Sequence, residues 1–267
     1  MKEQISVIIP AYNEECRLGA TLKKVISYLK REFTSYEVIV VDDGSSDGTH
    51  RVATSFAATN PFVRCLRNHS NRGKGYSVRR GILESRGEWV LFTDADLSTP
   101  IEELPHLLEW GAKGYQVVVG SRAREGSRIL VSQPFYRVVL GKGFNLAVQL
   151  LAVPGVRDTQ CGFKLFWGDT ARLLASLQVL NRYSFDVELL FLARKLGLPL
   201  AEVPVEWSHS QSSRVRPLRD GLRMLADLFF IRWLDLRGAY MAGTAPGKTG
   251  VRPAPVCPSQ DAASPSD

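Results

Sequence analysis

The sequence is poor in cysteine, which argues against a protein built on a zinc site or a redox motif. It also has no long apolar run, which argues against a membrane-spanning protein. Its four cysteines, Cys16, Cys65, Cys161 and Cys257, include no two with the spacing of a zinc site or a redox motif. We interpret them as small core thiols of a reducing compartment. No apolar stretch reaches the roughly 18 residues that a transmembrane helix needs. The first residues run directly into an apolar strand, so we expect neither a membrane span nor a secretory signal.

Two further lacks narrow the class of ligand. The loop after the first predicted strand, residues 11–15, has no glycine and no cation. It therefore lacks the glycine fingerprint of a dehydrogenase and the glycine-rich basic loop of a nucleotidyltransferase. No block of lysine and arginine with interleaved aromatic residues occurs, so nucleic acid is the least favoured partner. The net charge of +7 nevertheless indicates an anionic partner, either a phosphorylated substrate or an acidic membrane surface.

What is present is a regular alternation of short apolar runs and amphipathic segments. The apolar runs predict strands at residues 5–10, 36–41, 63–66, 89–92, 115–120 and 200–207, with one more within 158–166. Helical periodicity predicts helices at residues 17–31, 51–58, 76–85, 101–111, 135–153, 185–196 and 217–238. At 267 residues, this alternation fits one large α/β domain, or one such domain with a small appendage.

Two acidic residues follow directly after the apolar strand at 89–92. Asp94 and Asp96 are separated by one residue, and side chains two apart on an extended segment point to the same side. There they can face a hard divalent cation and, through it, a diphosphate. A turn-forming or helix-capping role is the simpler alternative for an aspartate after a strand.

Charged residues also follow the ends of other predicted strands. Asp42 ends the second strand and can hold a nucleoside, although capping of the next helix by Ser46 or Asp47 also explains this loop. Lys74 lies between two glycines, where a phosphate contact and a solvated turn are both consistent with the sequence. Because ligands of open α/β sheets bind at the carboxyl ends of the strands, these loops mark one candidate site.

Arginines are concentrated after the strand at 115–120. Four of them lie within a short span: Arg122, Arg124, Arg128 and Arg137. A solvated charged face is the simpler interpretation of any one of them. As a group beside a metal site, they are suited to bind a second phosphate.

The last predicted helix, at residues 217–238, has a different character. Its apolar side includes Phe229, Phe230 and Trp233 and covers almost the whole circumference, with arginines beside it. This pattern is typical of a helix lying in a bilayer interface, and burial in the core or a subunit contact is the alternative. Gly, Pro, Ala and Ser then dominate, which predicts a disordered tail. The predicted units are a main domain, a basic amphipathic helix and this tail, at residues 1–212, 213–240 and 241–267.

Four motifs together resemble the family-2 glycosyltransferases of the GT-A fold. They are Pro-Ala-Tyr-Asn-Glu-Glu at 10–15, Asp-Asp-Gly-Ser-Ser-Asp-Gly-Thr at 42–49, Asp-Ala-Asp at 94–96 and Gln-Cys-Gly-Phe-Lys at 160–164. Their order and spacing are similar to the family's from Ile5 to about Trp207. Segments at 185–190 and 202–207, with the basic helix, resemble the dolichyl-phosphate β-glucosyltransferases and related polyprenyl-phosphate enzymes, the glucosyl branch more than the mannosyl one.

The resemblance implies a Rossmann-like three-layer αβα sandwich around a mostly parallel sheet, followed by the amphipathic helix. It implies inverting transfer of a sugar, first of all glucose from UDP-glucose, to a polyprenyl or dolichyl phosphate, with Mg²⁺ or Mn²⁺ as cofactor. The protein would be cytoplasmic and peripheral on the inner face of an anionic membrane. The alternatives are a mannosyltransferase that uses GDP-mannose and an inactive protein that binds only nucleotide or membrane.

Site residues are carried over by their positions in the motifs. The nucleotide would be bound by Pro10, Tyr12, Glu14, Asp42 and Asp94, to which the glycine-flanked Lys74 adds a candidate phosphate contact. The metal ligands would be Asp94 and Asp96. The residues of the transfer step would be Asp96, Arg122 and Arg137, with Asp158 as base or as a brace for the sugar. Ser98 stands where mannosyl relatives have an amide, which puts a third protein ligand to the metal in doubt.

Overall fold

The computed structural model describes residues 4–131, 134–209 and 217–240, without the side chains of residues 135, 137, 217 and 218. Its strands are β1 Gln4–Ala11, β2 Ser35–Asp42, β3 Val63–Arg67, β4 Trp89–Thr93, β5 Val117–Ser121, β6 Arg128–Val131, β7 Phe163–Trp167, β8 Leu200–Pro204 and β9 Glu206–Ser208. Its helices are α1 Glu15–Glu32, α2 Thr49–Thr59, α3 Lys74–Leu83, α4 Leu104–Ala112, α5 Phe135–Leu151, α6 Gly168–Leu177, α7 Phe185–Lys195 and α8 Pro217–Leu236. A 3-10 turn at Ile101–Glu103 precedes α4.

Seven strands form the main sheet in the order β3-β2-β1-β4-β7-β5-β8. Every neighbouring pair is parallel except the two that β7 makes, with β4 and with β5. The six parallel strands therefore end at one edge, and the antiparallel β7 begins there. This confirms the predicted mostly parallel sheet.

Two helical layers cover the sheet because successive side chains of each strand point to opposite faces. On β1, Val7 and Ile9 face α1, α2 and α4, whereas Ile8 faces the layer of α3, α5, α6, α7 and α8. Strands buried on both faces are apolar throughout, as expected of an interior parallel sheet. The three-layer αβα sandwich is confirmed.

Three parts of the fold differ from the sequence prediction, and one of them is the short strand β6, which was not predicted. The predicted last strand at 200–207 is two strands, because β8 ends at Pro204 and β9 pairs with β6 in a separate two-stranded sheet. A proline cannot donate to a strand ladder, which favours the break at this point. Helix α6 was not predicted, since its short segment directly follows β7. The predicted tail at 241–267 lies outside the described residues.

Helix α8 packs on the sandwich with one side and presents the other to solvent. Met224, Leu228, Ile231 and Leu234 are buried against the second core layer. The side chains of Leu222, Phe229, Phe230, Trp233 and Leu236 are exposed. One side of the helix is therefore buried on the core, as the alternative interpretation expected, and the bilayer-interface interpretation of the other side stays a prediction. Within the described part of the chain, no helix has the length and apolar character to span a bilayer.

Candidate active site

The candidate site lies where the parallel strands end together. Ala11, the last residue of β1, is level with Asp42, the last residue of β2. Strand β4 ends at Thr93, one residue before Asp94, and β5 ends at Ser121, one residue before Arg122. The acidic and basic residues predicted from the sequence are therefore brought to one edge of the sheet, as the rule for open α/β sheets requires.

Two loops form one wall of this edge. Asn13 adopts a left-handed backbone conformation, with φ of 53°, and its N–H donates to Ser45 Oγ at 2.9 Å. The Asn13 side-chain oxygen accepts from the Ser46 N–H at 2.8 Å, and the Glu14 N–H donates to Thr49 Oγ1 at 2.6 Å. These bonds fix the loop that carries Pro10, Tyr12 and Glu14 against the loop after β2. All three predicted nucleotide residues are partly exposed along this wall.

Asp42 is fully buried and has one oxygen without a hydrogen bond among the described residues. Its Oδ1 accepts from the Ser45 N–H at 3.0 Å. Its Oδ2 lies 3.3 Å from Arg67 Nε and 3.6 Å from His50 Nδ1, without hydrogen-bond geometry to either. Because a buried polar atom is costly without a hydrogen-bond partner, this oxygen is suited to accept one from a ligand.

Asp43 organises the neighbouring loop, a role that the sequence prediction missed. Its oxygens accept hydrogen bonds from Asn68 Nδ2 at 2.7 Å, the Arg72 N–H at 2.9 Å and the Gly73 N–H at 2.8 Å. The sequence did offer a signal, since Asp43 is a second acidic residue and directly follows β2. However, the side chains of consecutive residues in an extended segment point to opposite sides, so Asp43 cannot share the position of Asp42. Asp42 and Asp43 therefore serve different loops.

Asp94 and Asp96 both reach the edge of the sheet and are both partly exposed, with side-chain exposures of 32% and 21%. Asp96 Oδ1 accepts from the Ser98 N–H at 3.0 Å, and its Oδ2 lies 3.9 Å from Arg17 Nη1. The residue after Asp96, Leu97, has a positive φ of 45°. A left-handed conformation at a branched residue is strained, and here it turns the chain away immediately after the two carboxylates.

Lys74 contacts Asp94 directly, which neither interpretation of its loop predicted. It is the first residue of α3, and its Nζ lies 2.7 Å from Asp94 Oδ1. Desolvation by itself would lower the pKa of Lys74, but Asp94 and then Asp186 raise it above the ordinary 10.5. Lys74 therefore adds a positive charge beside the aspartate pair, in a position to interact with any anion bound there.

Gly162 leaves room for the Asp94 carboxylate. A Cβ atom at this position would overlap Asp94 Oδ2 and Cγ, so only glycine lets the segment before β7 approach so closely. Gly162 is part of the Gln-Cys-Gly-Phe-Lys motif, so the close approach to Asp94 explains why this motif has a glycine at its third position.

We expect Gly162→Ala to lower the rate of the reaction catalysed at this site by roughly 10²-fold, because a displacement by about 1 Å has an effect of that size. Initial rates with thermal unfolding curves measure it. Gly19→Ala in α1 is the matched control, since its added Cβ makes only an ordinary contact, 3.7 Å from Val52 Cγ1. Equal rates for Gly162→Ala and the control would show that Asp94 tolerates displacement.

Arg122 and Asp158 form a bidentate pair at the other side of the site. Arg122 Nε lies 2.6 Å from Asp158 Oδ2, and Arg122 Nη2 lies 2.8 Å from Oδ1. The Arg122 N–H also donates to Oδ2 at 2.9 Å. Although desolvation would raise it, the guanidinium lowers the pKa of Asp158 below its ordinary 3.8. This geometry argues against the predicted role of Asp158 as a base, and its predicted role as a brace for the sugar stays a prediction.

The remaining arginines are not gathered into one cluster. Arg124 lies 3.4 Å from Glu202 Oε2, and Arg128 is exposed on β6. Arg137 belongs to the first turn of α5, and its side chain lies outside the described residues. Its predicted contact with the lipid phosphate stays a prediction.

A buried ion pair lies near the site and was not predicted as part of it. Lys164 Nζ lies 2.6 Å from Asp186 Oδ1 and donates to the Cys161 carbonyl at 2.5 Å, with Lys164 itself fully buried. Acidic residues in the first turn of a helix are favoured by the helix dipole in any case, so their presence at the start of α7 does not predict a pair with β7.

The two aspartates are compatible with a divalent cation. Within the ranges that the structure describes, no three His, Cys, Asp or Glu side chains group as a metal site. Mg²⁺, however, keeps several waters and is commonly bound by one or two carboxylates together with substrate phosphates. Asp94 and Asp96 supply that number of carboxylates at an accessible edge.

Comparisons with known proteins agree with this geometry. Residues 6–168 match the family model described as glycosyl transferase family 2. The dolichyl-phosphate beta-glucosyltransferase of Dictyostelium discoideum is 40% identical over 250 residues, which are 88% of this chain and 76% of that protein. The Homo sapiens protein of the same name is 41% identical over 254 residues, covering 89% and 78%.

A solved structure has the same fold at lower identity. Glucosyl-3-phosphoglycerate synthase from Mycobacterium tuberculosis, in complex with Mn²⁺, uridine diphosphate and phosphoglyceric acid, has a TM-score of 0.64 and 24% identity. The likeness covers 87% of this chain and 78% of that one, and it shows the GT-A fold. Together with the match over residues 6–168, these relatives show that the chain is a glycosyltransferase that belongs to glycosyl transferase family 2.

Proposed function

We propose that this protein transfers glucose from UDP-glucose to a dolichyl or polyprenyl phosphate. The observation that carries the proposal is 40–41% identity to dolichyl-phosphate beta-glucosyltransferases over 88–89% of the chain. The site supports it, since the carboxylates of Asp94 and Asp96 lie at the carboxyl edge of the sheet with Lys74 beside them.

The donor would lie along the wall formed by the loops after β1 and β2. Asp42 Oδ2, which lies 3.3 Å from Arg67 Nε but accepts no hydrogen bond among the described residues, would accept one from an N–H or O–H of the nucleoside. Tyr12 and Glu14 border the same wall. Asp94 and Asp96 would hold a divalent cation, either Mg²⁺ or Mn²⁺. When bound, that cation supplies Lewis-acid neutralisation of the charge on the departing diphosphate.

The transfer step needs little proton movement. An oxygen of the acceptor phosphate forms a bond to the anomeric carbon as the bond from that carbon to UDP breaks, with inversion. The acceptor is already ionised at neutral pH, so no strong general base is required. The Arg122 clamp on both oxygens of Asp158, which lowers the pKa of that carboxyl, fits this chemistry. The chain then contributes mainly by positioning the two phosphates.

The acceptor phosphate would bind on the side of Arg122. Its guanidinium keeps a fixed orientation through the bidentate contact with Asp158 and lies over the Trp207 ring, 5.2 Å from its centroid. A planar guanidinium held in this way is suited to bind a phosphate with its remaining N–H groups.

The lipid acceptor implies contact with a membrane, and the exposed apolar surface supports one. Of the large exposed apolar side chains that the structure describes, all but Phe62, Leu83 and Val179 lie on β6, α5 or α8. The exposed residues of these elements include cations as well, namely Arg128, Lys142, Arg219, Arg223 and Arg232, and the exposed Arg237 directly follows α8. Mixed apolar and basic residues on one surface favour the interface of an anionic bilayer.

Replacing Phe229 and Trp233 together by serine is expected to weaken binding to anionic vesicles by at least roughly tenfold, because two exposed rings leave the interface. Sedimentation with phosphatidylcholine vesicles containing about one-third phosphatidylserine measures this. Phe62→Ser with Leu83→Ser is the matched control, since these side chains are similarly exposed, at 47% and 45% against 63% and 44%. If both double variants lost vesicle binding equally, or if the variant of Phe229 and Trp233 lost none, the interfacial role of this surface would be contradicted.

A donor screen tests the proposed function. Purified protein is given labelled UDP-glucose, UDP-N-acetylglucosamine or GDP-mannose, with polyprenyl phosphate and Mg²⁺. We expect label in the lipid extract mainly from UDP-glucose. Preference for GDP-mannose would support the mannosyl alternative, and no lipid product from any donor would overturn the proposal.

A further inference from the structure

Glu188 lies at the centre of a buried hydrogen-bond network outside the catalytic edge. It is fully buried near the start of α7. Its Oε1 accepts from the Val179 N–H at 3.0 Å and from the Tyr240 hydroxyl at 2.7 Å, and its Oε2 accepts from the Leu180 N–H at 2.8 Å. One carboxylate therefore joins the segment before α7 to the segment that follows α8.

The segment at residues 178–184 packs against the turn that carries Lys74. The Asn181 carbonyl accepts from the Tyr76 N–H at 3.1 Å. Gln178 Nε2 donates to the Gly75 carbonyl at 3.0 Å and to the Leu180 carbonyl at 2.7 Å. Gly73 has a φ of 105°, and a Cβ there would overlap the Asn181 carbonyl. The two segments therefore fit backbone against backbone, and a shift of one displaces the other.

The same contact leads to the donor side of the candidate site. Lys74 is placed by this turn, and its Nζ reaches Asp94 Oδ1 at 2.7 Å. A second bond ties the segment to α8, since Ser184 Oγ donates to Asp227 Oδ2 at 2.7 Å. A continuous series of contacts thus runs from Tyr240 and α8, through the buried Glu188 and residues 178–184, to the partly exposed pair of Lys74 and Asp94.

We propose that Glu188 is a positioning residue for the donor site, which holds residues 178–184 against the Gly-Lys-Gly turn so that Lys74 meets Asp94 and the donor diphosphate. The kinetic test of this inference rests on the proposed function, to which the inference adds a residue that positions the donor site. Asp227 of α8 and Tyr240 bond to the same part of the chain, so α8 and the residues after it are joined to this side of the site.

The variant Glu188→Gln separates positioning from folding. A glutamine has one acceptor oxygen, so its NH₂ group must face a backbone N–H of residue 179 or 180. We expect the KM for UDP-glucose to rise by on the order of tenfold, as for one lost hydrogen bond, with the KM for the lipid phosphate unchanged. Tyr240→Phe removes one of the three donors and leaves both backbone bonds, so a smaller rise is expected.

Thr170→Val in α6 is the matched control for lost buried polar contacts. It removes the bond from Thr170 Oγ1 to Gln116 Oε1, 2.8 Å long and buried, in the first turn of α6, whereas residues 178–184 follow the last turn of that helix. A general loss of stability would reduce the amount of active enzyme in both variants and leave both KM values unchanged. The positioning role would be overturned if Glu188→Gln left both KM values unchanged. It would also be overturned if the KM for UDP-glucose and the KM for the lipid phosphate rose equally in Glu188→Gln.

Amide hydrogen exchange gives a readout that does not depend on transfer. In Glu188→Gln, exchange should become faster at residues 179–185 and also at residues 74–77, because the Tyr76 N–H bonds to Asn181. Isothermal titration with UDP and Mn²⁺ should show weaker binding than the wild type. Faster exchange confined to residues 179–185, with unchanged UDP affinity, would refute the inference. Absence of glucosyl transfer in the wild type would instead refute the proposed function alone.

Discussion

Asp96→Ala is expected to lower glucosyl transfer by roughly 10³-fold or more while the fold survives. Asp96 is one of two carboxylates that would hold a divalent cation, and such an ion contributes several kcal/mol of charge stabilisation, about a factor of ten for each 1.4 kcal/mol. The side chain is partly exposed, and in the described part of the chain it accepts from the Ser98 N–H of its own turn and lies 3.9 Å from Arg17 Nη1. Its removal therefore affects chemistry far more than packing. Initial rates and thermal unfolding of the same preparation measure both effects.

Glu102→Gln is the control for Asp96→Ala. Glu102 lies six residues after Asp96, and its carboxylate forms a surface ion pair with Lys24 at 3.1 Å. Exposed pairs of this kind contribute little, so we expect unchanged transfer and stability. If Asp96→Ala retained substantial transfer with metal present, the aspartate pair would not be the metal site.

Arg122→Ala is expected to cause the largest loss of stability among the site variants. It would leave the Asp158 carboxylate, with a side chain only 7% exposed, without its bidentate partner. Removing one member of a buried ion pair costs about 3–5 kcal/mol, which corresponds to a decrease in Tm of roughly 10 °C. Transfer should fall as well, since the guanidinium is the candidate contact of the acceptor phosphate. An unchanged Tm would show that Asp158 finds other partners.

The same pair predicts a dependence of stability on pH. Arg122 holds the folded pKa of Asp158 below the ordinary 3.8, so the carboxylate is favoured by folding. Its stabilisation is fully present above that ordinary value and is lost as pH falls from there toward the lower folded pKa. Asp158→Asn should therefore be less stable than the wild type at neutral pH. The difference should shrink as both proteins are brought below about pH 4. If the difference in stability between the wild type and Asp158→Asn stayed constant with pH, the ion pair of Asp158 with Arg122 would not be its cause.

The sequence predicted the sheet and the location of the site well because both depend on local patterns. Apolar runs followed by Asp42, Asp94 or Arg122 are strands followed by loops, and parallel strands bring such loops to one edge. The contacts within the site depend on tertiary packing instead. Lys74 meets Asp94 because residues 178–184, distant in sequence, place the glycine turn. Asp158 meets Arg122 because the turn before β7 reaches back to the end of β5.

The C-terminal helix illustrates a different limit. Its apolar residues cover so much of the circumference that periodicity alone could not tell the side packed on the core from the exposed side. The structure assigns Leu228 and Ile231 to the core and Phe229 and Trp233 to the surface. The break between β8 and β9 also depends on packing, since β9 pairs with β6, a strand of only four residues.

The most direct test of the account is glucosyl transfer before and after removal of divalent cations. Purified protein treated with EDTA is incubated with labelled UDP-glucose and polyprenyl phosphate, and Mg²⁺ or Mn²⁺ is then restored. We predict that lipid-linked glucose falls to background with EDTA and returns with either ion in the wild type, but not in Asp96→Ala. Full transfer in the presence of EDTA would contradict the claim that an ion held by Asp94 and Asp96 neutralises the departing diphosphate.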